Sequence, residues 1–194
     1  SAVSAIVQDN TGALYVGTGD GMATASSDGF ASPGVKNTYY TYGIKGDGLY
    51  KSTDNGASFT RLPDSEDWEE INAMKFDSYN NKLYVATDIG LMVSSDGGNS
   101  FTMASAQPIK CTDIKVSGTG IVTYCNATNI ANAYISTDGG ASFNSLCGTN
   151  KLPANASRIS LAIAPTCPDM IYALVADANG RFAGVYQSRN QGEL

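Results

Sequence analysis

The residues of this chain whose types could perform chemistry are mainly carboxylates. The candidates are Asp20, Asp47 and Asp88, together with the acidic run DSEDWEE at positions 64–70. Two carboxylates can hydrolyse a glycosidic bond when they flank it about 5–9.5 Å apart, one as acid and the other as base or nucleophile. The sequence therefore contains candidates for this chemistry, and the fold determines which of them come together.

The composition excludes several other kinds of site. The chain has no histidine, which removes Ser-His-Asp and Cys-His catalysis and histidine-assisted zinc binding. None of the four cysteines forms a CxxC pair, and the short acidic turns lack the ligand spacing of a calcium loop. We therefore expect no metal and no cofactor.

The charge and hydropathy also limit the partners. The net charge of −6 argues against nucleic acid, whose phosphates require basic patches. No apolar run approaches the roughly 20 residues that a transmembrane helix needs. A protein or a glycan remains as the expected partner.

A motif of eight residues occurs three times and divides the chain into repeats. It reads Ser-x-Asp-x-Gly-x-x-Phe, and successive copies begin 42 residues apart. Its signature residues are Ser52, Asp54, Gly56, Phe59, Ser94, Asp96, Gly98, Phe101, Ser136, Asp138, Gly140 and Phe143. A fourth, degenerate copy begins at Ser188 and keeps Gly192. A repeat of about 40–50 residues is typical of β-propeller blades.

Each copy follows alternating apolar and polar residues that are interrupted by polar turns such as Asn80-Asn81. This pattern indicates strands joined as hairpins, and the predicted unit is four antiparallel strands with the phrase as the last turn. We predict an all-β fold, a β-propeller or part of one. The predicted blades are 1–67, 68–108, 109–153 and 154–194. The last blade lacks an outer strand, which favours part of a longer polypeptide or an assembly.

The repeated phrase is expected to build the fold. Its Ser and Asp side chains can accept hydrogen bonds from turn amides that the sheet leaves unpaired. Its glycine allows a positive φ. Its phenylalanine returns to the apolar layer, where burial contributes roughly 1.5–3 kcal/mol.

The phrase resembles the Asp-box, or bacterial neuraminidase repeat, of sialidases, sortilin-type receptors, xyloglucan-degrading hydrolases and photosystem assembly factors. All three copies match at every signature position. The resemblance implies a β-propeller whose boxes lie at the blade periphery, away from the central ligand face. It implies no single activity, because this repeat occurs in proteins of unrelated function.

One stretch bears a further resemblance. LYVATDIGLMVSSD, which contains Asp88, is similar to a xyloglucanase motif with a catalytic aspartate at the end of a strand. It departs from that motif at Leu91 and Met92, where a glycine and an aromatic residue are expected. The resemblance makes Asp88 the candidate catalytic residue, and the alternative is a solvated turn aspartate.

The first blade carries an insertion between its second and third strands, and this insertion contains Tyr39, Tyr40 and Tyr42. Long loops in compact domains are often functional. Tyrosines are suited to stacking on a sugar ring or packing against a peptide. These three would therefore form a binding site, or alternatively cover the edge of the blade.

The pairing of the cysteines bears on the cellular location of the protein. Cys111 and Cys125 flank the turn at 118–120 almost symmetrically, so we predict a disulfide between them across two strands. Cys147 and Cys167 fall at opposite ends of their blades and receive no predicted partner. A disulfide would favour a secreted, periplasmic or cell-surface location.

These observations favour a non-catalytic interaction module that binds a protein or a glycan. The alternatives are a glycoside hydrolase with paired carboxylates and an assembly or sorting factor.

Overall fold

The computed structural model describes residues 2–20, 44–105, 107–127, 130–164 and 166–192. These residues form fifteen strands and one short 3₁₀ turn, Pro63–Ser65. The strands are β1 Val3–Gln8, β2 Leu14–Thr18, β3 Leu49–Ser52, β4 Thr60–Arg61, β5 Ile71–Asp77, β6 Lys82–Thr87, β7 Gly90–Ser94, β8 Thr102–Met103, β9 Cys111–Val116, β10 Val122–Ala127, β11 Ala131–Ser136, β12 Asn144–Ser145, β13 Arg158–Ala164, β14 Cys167–Ala176 and β15 Phe182–Ser188.

The strands form four antiparallel sheets, and each sheet follows the order of the chain. Three have four strands, β1–β4, β5–β8 and β9–β12, and the fourth has three, β13–β15. Tight turns join the strands, and at the turn between β5 and β6 Asn81 takes a φ of 55°, a conformation that asparagine tolerates better than most residues. We call these sheets blades 1 to 4.

The blades pack face to face around a common centre. Their first strands are neighbours, with β1 beside β5, β5 beside β9, and β9 beside β13. The first strands are therefore the inner ones, and the turns that carry the repeated motif lie towards the outer edge. This is the architecture of a β-propeller, and the predicted all-β propeller fold is confirmed. Within the described ranges, no helix is long and apolar enough to cross a membrane.

One apolar cluster fills each junction between successive blades. The first junction is built around Tyr15, Ile71 and Trp68, the second around Tyr84, and the third around Ile159. Trp68, in the middle of the acidic run, is almost fully buried. Its indole therefore pins the connection between blades 1 and 2.

The second and third strands keep one register in all four blades. The residues opposite the motif serines are Leu14, Leu83, Val122 and Ile171. The next residue in each blade has its side chain directed at the following blade, or at the free face in blade 4, because side chains alternate along a strand. These equivalent residues are Tyr15, Tyr84, Thr123 and Tyr172.

At the first two junctions, a tyrosine and a lysine bind one backbone carbonyl of the following blade. The hydroxyl of Tyr84 donates to the carbonyl oxygen of Gly139 at 2.9 Å, and Nζ of Lys82 donates to the same oxygen at 2.6 Å. The corresponding groups at the first junction are Tyr15, Lys51 and the carbonyl oxygen of Gly97, at 3.0 and 2.7 Å.

The third junction is built differently. Thr123 stands at the tyrosine position, and its hydroxyl is buried without a hydrogen-bond partner among the described residues. A cavity of about 100 Å³ lies at this junction, lined in part by Leu146, Leu161 and Ile171. The side-chain link between blades 3 and 4 comes instead from Asp113, whose Oδ2 accepts a hydrogen bond from the amide of Leu161 at 3.2 Å.

The outward faces of blades 1 and 4 expose large apolar side chains. On blade 1 these are Val3, Ile6 and Phe59, and on blade 4 they are Tyr172, Leu174, Phe182 and Val185. These two faces contact no other blade among the described residues.

Candidate functional site

Charged side chains from three blades meet at the face of the molecule where the inner strands begin. Glu70 directly precedes β5, Lys110 directly precedes β9, and Asp88 directly follows β6. Lys45 and Glu69 lie beside them. We call these five residues the top-face cluster.

Asp88 is joined to Glu70 through the backbone. The amide of Glu70 donates to Oδ1 of Asp88 at 3.3 Å, and the amide of Asp88 donates to the carbonyl oxygen of Glu70 at 3.1 Å. Burial raises the pKa of the half-buried Asp88 carboxyl, and the charges of Glu70 and Glu69 add to this effect while the two backbone amides oppose it. A raised pKa lets a carboxyl group retain a proton, as a general acid must.

Two ion pairs hold the carboxylates beside Asp88. Nζ of Lys110 lies 2.5 Å from Oε2 of Glu70, and both side chains are partly shielded from solvent. Nζ of Lys45 lies 2.5 Å from Oε1 of Glu69, but these two side chains are mostly exposed, and such pairs contribute only about 0–1 kcal/mol. The Lys110–Glu70 pair also links blade 3 to blade 2. Glu70 is therefore already neutralised by a neighbouring cation.

Asp47 lies in a separate network on blade 1. Its carboxylate accepts hydrogen bonds from the hydroxyl of Tyr50 and from Nη1 of Arg61, both at 2.6 Å. Arg61 also pairs with Glu66 at 3.1 Å. The Tyr50 bond and the Arg61 charge hold the pKa of Asp47 below its usual value. Asp47 is therefore an ionised group that positions Arg61, and the structure does not bring it into the top-face cluster.

The three predicted binding tyrosines, Tyr39, Tyr40 and Tyr42, lie outside the described residues. The two residues that flank this segment, Asp20 and Ile44, are described. They exchange two backbone hydrogen bonds of 2.8 and 3.0 Å. The amide of Gly46 then donates to the carbonyl oxygen of Glu69 at 2.6 Å. The insertion therefore leaves and rejoins blade 1 beside the top-face cluster.

The three copies of the repeated motif form the same hydrogen-bonded turn. In the third copy, Asp138 accepts bonds from the hydroxyl of Ser136 at 2.6 Å and from the amide and hydroxyl of Ser142 at 3.0 and 2.5 Å. The hydroxyl of Ser136 accepts a bond from the amide of Gly140 at 2.8 Å. The equivalent bonds in the other copies join Ser52, Asp54, Gly56 and Ser58, and Ser94, Asp96, Gly98 and Ser100. Both carboxylate oxygens of each motif aspartate are thus engaged within their own turn.

The phenylalanines of the motif differ in burial. Phe101 and Phe143 are half-buried and pack edge-on against Trp68 and Tyr124, with ring centroids 4.9 and 5.0 Å apart. Phe59 is 43% exposed. The expectation of a buried ring is therefore wrong for Phe59, because its side of blade 1 faces no other blade of the described chain.

The motif aspartates make the stability of the fold depend on pH. Hydrogen bonds from Ser100, and then from Ser94, lower the pKa of Asp96 to about 2, and the equivalent serines lower the pKa values of Asp54 and Asp138. A carboxylate whose pKa is lowered by folding stabilises the folded state while it is ionised. We expect this contribution to be complete above about pH 4, near the pKa of an unfolded aspartate, and to be lost as the pH falls towards 2.

Urea unfolding of the wild type and of Asp96→Asn between about pH 5 and pH 2 measures this effect. The difference in unfolding free energy between the two proteins should narrow as the pH falls. A difference that stays constant down to the lowest pH would contradict the assignment.

The prediction of a disulfide between Cys111 and Cys125 is wrong, because all four cysteines are free thiols in the structure. A bulge shifts the pairing of β9 with β10, so that Cys111 lies opposite Asn126 and Cys125 lies opposite Asp113. The two side chains project from opposite faces of blade 3, Cys111 into the second junction and Cys125 into the third. Burial raises the pKa of both thiols, which keeps them protonated and unreactive.

Glu70 belongs to the acidic run that contains candidate carboxylates, but its pairing with Lys110 was not predicted from the sequence. Its signal is present there, because both residues directly precede an inner strand and so occupy the same position in successive repeats. Opposite charges at equivalent positions of neighbouring blades indicate an ion pair between them. In the part of the chain that the structure describes, no group of three or more cysteine and acidic side chains is arranged to hold a metal ion.

Solved structures with the same architecture include glycoside hydrolases and a secretion component. An ancestral GH74 enzyme matches 98% of this chain with a TM-score of 0.67 at 19% identity, and the GH74 xyloglucanase of Xanthomonas campestris matches 100% with a TM-score of 0.63 at 16% identity. PorZ, a surface component of the type IX secretion system of Porphyromonas gingivalis, matches 97% with a TM-score of 0.58 at 13% identity.

This chain covers 23%, 29% and 26% of those three chains, respectively. No protein-family model and no curated protein matches its sequence. At these identities the likeness establishes the β-propeller fold and leaves the activity to the residues of this chain.

Proposed function

We propose that this chain is a sector of a secreted, periplasmic or cell-surface β-propeller of the Asp-box type. In this proposal it acts as a non-catalytic interaction module for a protein or glycan partner. The observation that carries the proposal is that the carboxylates beside Asp88 are already bound by cations. Glu70 is bound by Lys110 and Glu69 by Lys45, and Asp47, which lies outside the cluster, is bound by Arg61. A glycoside hydrolase needs two carboxylates that are free to approach one bond.

The binding surface in this proposal is the insertion of blade 1 together with the top-face cluster. Tyr39, Tyr40 and Tyr42 supply broad, rigid faces that stack on a sugar ring or on a peptide. The ion pairs at the base of the insertion supply donors and acceptors that fix the orientation of a partner. Surfaces that combine central aromatic residues with a polar rim are typical of binding sites.

The test is to replace Tyr39, Tyr40 and Tyr42 together with alanine. The probes are a glycan array that includes xyloglucan oligosaccharides and a displayed library of random peptides. We expect the wild type to bind one of them, and the triple variant to bind at least about tenfold more weakly at an unchanged melting temperature, since aromatic anchors carry much of the binding energy.

Tyr79→Ala is the matched control. Tyr79 is 71% exposed, and it lies in the turn between β5 and β6, at the opposite end of blade 2 from the top face. Its loss should leave binding unchanged. A triple variant that binds like the wild type would remove the proposed surface, and a wild type that binds neither probe would overturn the proposed function.

The position of the half-buried Asp88 directly after β6, where burial raises its pKa, favours a second candidate function, hydrolysis of a plant or microbial polysaccharide. The same preparations discriminate the two when they are incubated with soluble xyloglucan and assayed for new reducing ends. We expect no release above the blank. Release by the wild type that Asp88→Asn abolishes would replace the interaction module with a hydrolase.

A third candidate is an assembly or sorting factor. The likeness in fold to a surface component of a secretion system is compatible with it. The residues that would bind a partner are the same in this case, so the tyrosine variant tests both.

A further inference from the structure

Asp88 is the one carboxylate of the top-face cluster that no cation binds in the part of the chain that the structure describes. Lys110 binds Glu70, and Lys45 binds Glu69. The carboxylate of Asp88 accepts a hydrogen bond at Oδ1 from the amide of Glu70, and the residue is partly exposed. Its second oxygen is therefore available to a donor from outside the described residues.

Asn126 directs an acceptor into the junction between blades 2 and 3. It is 2% exposed, and its Oδ1 has no hydrogen-bond partner among the described residues. Asn126 stands directly opposite Cys111 and two residues after Tyr124, and both of those side chains pack in this junction. Opposed residues, and residues two apart on one strand, share one face of a sheet, so the side chain of Asn126 faces the same junction. A buried acceptor without a donor costs free energy, which a ligand that supplies the donor recovers.

Short contacts bring Asn126 and Asp88 to the same end of that junction. Ala127, the residue after Asn126, donates its amide to the carbonyl oxygen of Lys110 at 3.1 Å. Lys110 binds Glu70, and Glu70 forms two hydrogen bonds with Asp88. The two acceptors are therefore linked through the Lys110–Glu70 pair, at the top end of the junction.

Exposed isoleucines flank these acceptors on the top face. Ile89 directly follows Asp88 and is 38% exposed, and Ile130 directly precedes β11 and is 50% exposed. A lysine or arginine side chain has an apolar stem that packs on such residues and a charged end that binds a carboxylate. The combination of apolar and acidic groups therefore suits a basic side chain.

The charge around the site also favours a cation. The segment 66–70 contains four carboxylates and no cation, and Asp88 adds a fifth carboxylate. Three cations, Arg61, Lys45 and Lys110, bind carboxylates of this group. The surface therefore keeps an excess of negative charge, which attracts a cationic partner and repels an anionic one.

We propose that the top end of the junction between blades 2 and 3 binds an arginine or lysine side chain of a polypeptide partner. The charged end binds the carboxylate of Asp88 and donates a hydrogen bond towards Oδ1 of Asn126, while the stem packs against Ile89 and Ile130. A polypeptide is the occupant, since a neutral glycan has no charge to complement this surface. The inference names the partner class of the interaction module and rests on that proposed function.

The peptide-display selection with the wild-type protein tests the partner class. We expect the enriched peptides to share an arginine or lysine beside an apolar residue. The dissociation constant of one enriched peptide, measured by fluorescence anisotropy, should rise at least about threefold between about 50 and 500 mM salt, because salt screens partly exposed charges. Selection of peptides without a basic residue, or binding of glycans alone, would overturn this inference and leave the interaction module standing. Binding of neither probe would remove both.

Asp88→Asn locates the cation. It should raise the dissociation constant of the enriched peptide at least about tenfold, because it removes the charge that the basic side chain binds. Asp67→Asn is the matched control, since it removes the same charge from an exposed carboxylate of the segment 66–70. The control reports only the general attraction and should change the constant by less than about twofold. Equal effects of the two variants would overturn the site.

Asn126→Leu tests the second acceptor. Leucine has a similar volume and removes the unpaired oxygen, so the melting temperature should not fall. The affinity for the enriched peptide should fall by about two- to tenfold, the value of one hydrogen bond. A leucine variant that binds the peptide as tightly as the wild type would overturn the role of Asn126.

Discussion

Replacing Tyr84 with alanine is expected to lower the free energy of unfolding by about 3–5 kcal/mol, the range for removing a buried aromatic ring. Tyr84 has no exposed surface and fills the junction between blades 2 and 3. Its hydroxyl also donates to the carbonyl oxygen of Gly139 in blade 3. The alanine variant would lose both the ring and the link, and urea unfolding monitored by circular dichroism measures the loss.

Two further variants separate these contributions. Tyr84→Phe keeps the ring and removes one hydrogen bond, so it should cost only about 0.5–1.5 kcal/mol, because Lys82 still donates to the same carbonyl. Tyr79→Ala, at a mostly exposed tyrosine of the same blade, should change stability by less than about 0.5 kcal/mol. A loss below about 1 kcal/mol for Tyr84→Ala would mean that this junction is not packed as described.

Gly140→Ala is expected to destabilise the protein by about 2–5 kcal/mol. Gly140 has a φ of +83°, and a Cβ atom at this position would lie 2.2 Å from the hydroxyl oxygen of Tyr84. The left-handed backbone costs an alanine about 1–2 kcal/mol, and displacing a buried side chain costs about 1–3 kcal/mol. The substitution therefore strains the turn of blade 3 and disturbs its contact with blade 2.

Gly180→Ala isolates the backbone part of this effect. Gly180 has a similar φ of +76°, but an added Cβ would meet no heavy atom within 4 Å. It should therefore cost only about 1–2 kcal/mol. Thermal and urea unfolding of the two variants under one condition compares them directly, and equal losses would show that the clash with Tyr84 is relieved at no cost.

The sequence was sufficient to predict the propeller fold because the fold repeats. A motif at a constant spacing after alternating apolar residues identifies a four-stranded sheet, and three copies identify a stack of them. The turn around Asp96 follows from the same local pattern. Such features depend on residues that are close together along the chain.

The incorrect and missed predictions concern features that depend on residues far apart in the sequence. The hairpin position of Cys111 and Cys125 was clear, but a bulge in β9 and β10 sends their side chains to opposite faces. The motif alone predicts burial for Phe59, but burial requires a neighbouring blade on its side. The Glu70–Lys110 pair joins two repeats and becomes visible only when equivalent positions in neighbouring blades are compared.

Thr123 stands where the first two blades have a tyrosine, and this difference affects the order in which the blades separate during unfolding. At the first two junctions a tyrosine and a lysine bind a backbone carbonyl of the next blade. At the third junction Asp113 accepts a hydrogen bond from the amide of Leu161, but a small cavity and a buried threonine hydroxyl stand at the tyrosine position. Local unfolding starts in the less tightly held parts of a structure, so we expect the third junction to open before the other two.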